Sequence, residues 1–67
     1  MIENTQINEK MKEMRKRAAL TQEDFAKKSD IKYTTLIKIE SGAIKNPSVQ
    51  IMAKAARTLG VLIEDLL

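Results

Sequence analysis

The sequence predicts an all-α domain, and three observations carry that prediction. Only one proline and two glycines occur among 67 residues, so few helix breakers are available. Apolar residues recur at helical spacing, and long alternating β-branched runs are missing. Short punctuation at Ala19-Leu20-Thr21, Ser29-Asp30, Ser41 to Ser48 and Gly60 divides the chain into helix-sized pieces. The length implies one small domain, residues 1–67, whose core is marginal by itself. Cysteine and histidine are both absent, so neither disulfides nor the usual zinc ligands can reinforce it.

The first helix is expected where Ile7, Met11, Met14 and Ala18 form an inner stripe, with Lys10, Lys12, Glu13, Lys16 and Arg17 elsewhere on the surface. Thr21 caps a second, with Asp24 three residues on in a capping-box arrangement, and Phe25 and Ala26 face inward. Ser29-Asp30 ends it after about two turns. A third helix runs from near Lys32 to Glu40, with Leu36 and Ile39 inside, and Gly42 supplies the positive φ that stops it. Residues 43–47 form a loop in which Pro47 favours an extended Asn46. Ser48 caps a fourth helix whose inner stripe is Val49, Met52, Ala55, Ala56 and Leu59, and Gly60 fits the left-handed position past its end, with Val61 packing back. Residues 62–67 form a last short helical turn.

The informative stretch is Thr21 to Gly42, two short helices joined by a tight turn at Ser29 to Ile31. A turn that short makes the second helix cross the first steeply, so its outer face projects in a shape that fits a DNA major groove. Here the chain resembles the lambda-repressor and Cro (XRE) type of helix-turn-helix domain, over about residues 7–66. The resemblance rests on Arg15, Leu20-Thr21-Gln22, Phe25-Ala26, Ile31, Leu36, Ile39-Glu40, Gly42, Pro47-Ser48, Leu59-Gly60-Val61 and Asp65-Leu66, in order and at family spacing. It implies five helices, the third being the recognition helix. The family often has glycine where Ala19 and Asp30 stand, which implies left-handed backbone at both, and Lys32 stands where Ser or Thr often caps the recognition helix.

The resemblance also implies roles for individual residues. Tyr33, Thr34 and Lys38 match positions that reach base edges, and Ile37 lies on the same outward arc, where it can meet a thymine methyl. Gln22, Lys32, Ser41, Lys45 and Asn46 match or adjoin positions that touch phosphate, Gln22 at a helix N-terminus. Arg15 and Glu40 are expected to form a structural ion pair from helix 1 to the end of the recognition helix, the alternative being a DNA role for Arg15, alone or shared. Ile51, Leu62, Ile63, Leu66 and Leu67 form an apolar set near the end where the family commonly dimerises; the competing reading is a patch covered by helix 1. Within that set, Ile63 and Leu66 are alternatively core residues.

The functional expectation is a sequence-specific binder of double-stranded DNA that regulates transcription. It would act as a repressor or autoregulator, as a homodimer on a pseudo-palindromic operator. The alternative is an antitoxin-type module that binds a partner protein as well as DNA. The net charge of +3 permits a polyanion partner without demanding one. No nucleophile–base pair, metal-spaced cluster or glycine-rich phosphate loop appears, so neither an enzyme nor a metal or other cofactor is expected. No apolar run approaches a membrane span, and MIENTQINEK lacks a signal-peptide pattern, so the expected place is the cytoplasm.

Overall fold

The computed structural model describes residues 7–67. Four α-helices follow one another: α1 (Ile7–Arg17), α2 (Gln22–Ser29), α3 (Tyr33–Ser41) and α4 (Val49–Leu59). A 3-10 turn, Ile63–Leu66, closes the chain, and no strand occurs among the described residues. The class is therefore all-α. The fifth of the five expected helices is this single 3-10 turn, because four residues suffice only for tight i→i+3 bonding. Asp65 holds it by accepting from the Leu62 backbone N–H at 3.0 Å while its own N–H donates to the Leu62 carbonyl. No helix among the described residues is long and apolar enough to cross a membrane.

Each element contributes one stripe to a shared core. Met11 comes from α1, Phe25 and Ala26 from α2, Ile31 from the turn, Leu36 and Ile39 from α3, and Met52, Ala55 and Ala56 from α4. Leu66 comes from the 3-10 turn, which packs on α1 and α4 and is fully buried at that residue. Leu66 is thus a core residue of the single chain and is removed from the expected dimer surface. Burying a side chain of this size contributes about 1.5–3 kcal/mol, too much to leave it for a partner to cover. Two expected stripes end sooner than the helical period suggests. Ala18 lies beyond α1 and is exposed. Val49 is 75% exposed; together with Ser48 and Gln50 it forms a first turn of α4 that projects past the core.

The helices start and stop on local chemistry. Thr21 Oγ1 accepts from the Asp24 N–H at 3.0 Å and Ser48 Oγ from the Ile51 N–H at 3.2 Å, each satisfying a donor that the helix leaves orphaned. All four α-helices end at a residue with left-handed backbone: Ala19 (φ 60°), Asp30 (φ 57°), Gly42 (φ 90°) and Gly60 (φ 71°). An apolar residue then folds back at Leu20, Ile31, Ile44 or Val61. Leu20, Ile31 and Val61 donate their N–H groups to the carbonyls of Arg15, Ala26 and Ala56, five residues earlier, the doubly bonded stop of a Schellman motif. The end of α2 is reinforced from α4, where Thr58 Oγ1 donates to the Lys28 carbonyl and Lys54 Nζ to the Asp30 carbonyl, both at 3.3 Å.

Two of these four stops lack the glycine that suits the conformation. A Cβ in left-handed backbone costs about 1–2 kcal/mol, less for Asp, whose side chain bonds locally. Ala19 is the strained one, since it is exposed and gains nothing from its methyl. Ala19→Gly is expected to raise Tm by about 3–5 °C, the relief being partly offset by a freer unfolded chain. Thermal unfolding followed by circular dichroism checks this, and a lowered Tm contradicts it.

Candidate nucleic-acid interface

The outer face of α3 is defined by what its inner face does. Leu36 and Ile39 enter the core, and Glu40 is buried beside them at 1% exposure. The remaining positions turn outward. Tyr33 is 44% exposed, Thr34, Lys38 and Ser41 are exposed, and Ile37 is half-buried between them. Thr34, Ile37, Lys38 and Ser41 follow the i, i+3, i+4, i+7 spacing of a single helix face. Among the described residues the Thr34 hydroxyl and the Lys38 ammonium have no protein partner. Their donors are therefore available to an outside ligand.

The end of α3 is fastened from three directions. The Lys38 carbonyl accepts from the Ile44 N–H at 3.0 Å and from Ser41 Oγ at 3.1 Å. The Glu40 carboxylate accepts from Arg15 Nε at 2.8 Å and from Gln22 Nε2 at 3.0 Å, so α1 and α2 both grip the last turn of α3. Arg15 also donates through Nη1 to the Leu20 carbonyl at 2.8 Å, which orients its guanidinium. Asn8 Nδ2 donates to the Glu40 carbonyl at 3.5 Å.

These bonds decide where the phosphate-type residues stand. Lys32 is exposed at the start of α3 and offers no side-chain cap, so the first turn of that helix keeps its N–H groups open. Lys45 and Asn46 are exposed in the α3–α4 loop. Gln22 is half-buried and its amide is committed to Glu40, which leaves the open backbone N–H groups at the start of α2 as the feature that can meet an anion there. Between Ile31 and Ile63 the chain carries five basic residues and one acid, and that acid is the buried Glu40. Neither α3 nor α4 has an acidic residue in its first turn, whereas α1 and α2 do. The exposed charge of this half is positive throughout.

The rest of the apolar C-terminal set is divided. Leu62 and Leu67 are exposed, at 64% and 60%. Ile63 and Ile51 both pack partly against the core, and Ile51 also lines a cleft with Ile31, Lys32, Thr35 and Lys54. Lys10 Nζ donates to the Leu67 carbonyl and draws the chain end to α1. Sequence reasoning passed over Asn8 and the second role of Gln22. Asn8 lies seven residues before Arg15, on the same face of α1, a spacing that marks it as facing the end of α3.

A helical pair whose second helix is fastened from three directions, with its outer face free and exposed lysines beside it, is a helix-turn-helix unit. The chain belongs to the helix-turn-helix family of the lambda-repressor and Cro (XRE) type, whose family model matches residues 11–66. It is 42% identical over 60 residues to an HTH-type transcriptional regulator of Methanocaldococcus jannaschii, covering 90% of this chain and 89% of that one. It is 37% identical over 57 residues to one of Archaeoglobus fulgidus, covering 85% and 80%. Among solved structures it is similar to SinR, the master regulator for biofilm formation, crystallised in complex with DNA. The TM-score is 0.87 at 28% identity, over 90% of this chain and 95% of that one.

The Glu40 junction sets the stability of this arrangement. Glu40→Ala leaves Arg15, which is 11% exposed, facing no counter-charge. Losing one partner of a buried pair costs about 3–5 kcal/mol, a large share of the few kcal/mol a chain this short commands. Urea unfolding of Glu40→Ala, Arg15→Ala and the double variant is expected to show a coupling of at least about 1 kcal/mol. Simple additivity contradicts the junction.

Proposed function

We propose that the chain is a sequence-specific duplex-DNA-binding transcriptional regulator, a repressor or autoregulator that works as a homodimer. The observation that carries this reading is the unpartnered outer face of α3, in a chain that superimposes along most of its length on a protein crystallised with DNA. With α3 in the major groove, Lys38 donates to guanine O6 and N7, Thr34 and Tyr33 reach a base edge or thymine methyl, and the half-buried Ile37 offers its methyls to thymine. Lys32, Ser41, Lys45 and Asn46, with the start of α2 at Gln22, hold the flanking phosphates and orient the domain without reading sequence. On this reading the chain works in the cytoplasm, with its DNA.

One short recognition helix reads only a few base pairs, too few to select a site against a genome of competitors. A two-fold dimer doubles the readout and places half-sites about 34–36 Å apart. Leu62 and Leu67 supply exposed apolar surface for its interface, with Ile63 at the margin. A second reading uses the same two side chains: an antitoxin-type module that covers them with a partner protein.

Lys38→Ala is expected to cost about 1–3 kcal/mol on the preferred site and to relax preference at one or two base pairs. Selection from random duplexes followed by titration measures this; equal weakening on preferred and random DNA would make Lys38 a backbone contact. Leu62→Glu is expected to shift the chain toward monomer and weaken operator binding while leaving helicity intact. Analytical ultracentrifugation reads the assembly. A wild type that stays monomeric at high micromolar concentration, with and without DNA, favours the partner-protein reading.

A further inference from the structure

A concavity lies between the first turn of α1 and the loop after α3, lined by Ile7, Asn8, Gly42, Ile44 and Lys45. Its side-chain polar groups are the Asn8 carboxamide and the Lys45 ammonium, and no carboxylate lines it among the described residues. Lys45 is exposed and makes no ion pair among the described residues. Among the described residues the Asn8 amide has one partner, the Glu40 carbonyl at 3.5 Å, at the outer limit of a hydrogen bond. The amide therefore retains donor capacity for a better acceptor. Gly42 contributes to this opening as well as to the helix stop. A Cβ at Gly42 would stand 3.5 Å from Asn8 Nδ2, against the amide that the bare glycine leaves uncovered.

We infer that this concavity holds one phosphodiester of the duplex backbone between the Asn8 amide and the Lys45 ammonium, making Asn8 a DNA contact supplied by α1. The inference rests on the DNA-binding reading and extends it to a helix outside the helix-turn-helix pair. The loop leaves the end of α3 directly after Lys38 and Ser41. When the outer face of α3 occupies a major groove, the strand that borders the groove runs past this end. A phosphate oxygen is the acceptor that both groups favour, the ammonium through its charge and the amide through an N–H aimed at an anion. Ile7 and Ile44 flank the two groups with apolar surface, where a charge-assisted bond is less weakened by water.

The test uses the full chain, a selected duplex and fluorescence anisotropy. Asn8→Ala is expected to weaken binding about tenfold. Its unfolding midpoint should stay close to wild type, because the bond it loses is long and alanine is the better helix former. Asn8→Asp is expected to bind more weakly still and to lower the salt slope by about 1, since a carboxylate there repels the phosphate. Duplexes with a neutral methylphosphonate at single backbone positions give a readout that a merely structural role would not move. At one phosphate per half-site the losses from the methylphosphonate and from Asn8→Ala should not add. Additivity at every phosphate, or wild-type affinity in a folded Asn8→Ala, overturns the inference and leaves the DNA-binding reading standing. Absence of salt-dependent duplex binding by the wild type removes both. Inorganic phosphate at constant ionic strength should shift the Asn8 side-chain amide resonances without saturating; saturable binding makes the concavity a free-anion site and overturns its assignment to duplex.

Discussion

The buried carboxylate of Glu40 is the constraint from which the functional geometry follows. A charged group at 1% exposure needs compensating charge and hydrogen bonds, and Glu40 receives them from Arg15 on α1 and Gln22 on α2. Those two helices approach α3 from different sides, so satisfying one carboxylate locates the last turn of α3 relative to both. Apolar contacts alone between Leu36, Ile39 and their neighbours would tolerate sliding and rotation of a two-turn helix. A bidentate polar junction does not, because its bonds have length and direction. The outward aim of Thr34 and Lys38 is thus set at the opposite, buried side of the same helix.

Short helices make the second constraint. Among the described residues none of the four exceeds 11 residues, and helices this short are marginal in isolation. Their ends are therefore as important as their faces. The repeated left-handed stop turns the chain sharply and places an apolar residue back over the helix just completed, so each connection also contributes to the core. Ile31 shows this best, since it ends α2, enters the core and is followed at once by the start of α3.

Much of this was legible in the sequence, and the failures have physical causes. Helix existence, the caps at Thr21 and Ser48 and the stops at Gly42 and Gly60 follow from local chemistry that acts within four or five residues. The left-handed backbone at Ala19 and Asp30 was signalled only by the resemblance, because neither residue type announces it. Val49 fell on the correct helical stripe and still lies in solvent, since periodicity does not show where the neighbouring helices end. Leu66 could have served either a core or a surface, and only the path of the 3-10 turn between α1 and α4 decides for the core. Gln22 and Asn8 were underestimated for a related reason. Their partner is Glu40, which lies 18 and 32 residues away, and local spacing carries only one hint of it, the seven residues that set Asn8 on the same face of α1 as Arg15.

The two sides of α3 share no side chain: Leu36, Ile39 and Glu40 serve the interior, while Thr34, Lys38 and Tyr33 make no hydrogen bond or ion pair with the protein among the described residues. Substitution at the outer positions therefore carries little cost in folding, whereas the inner positions answer to the core whatever the ligand. Such a layout is modular at the scale of one helix. A lineage descending from this chain could acquire a new binding preference in a few substitutions, each intermediate remaining a stable protein, while its scaffold stayed recognisable over long divergence.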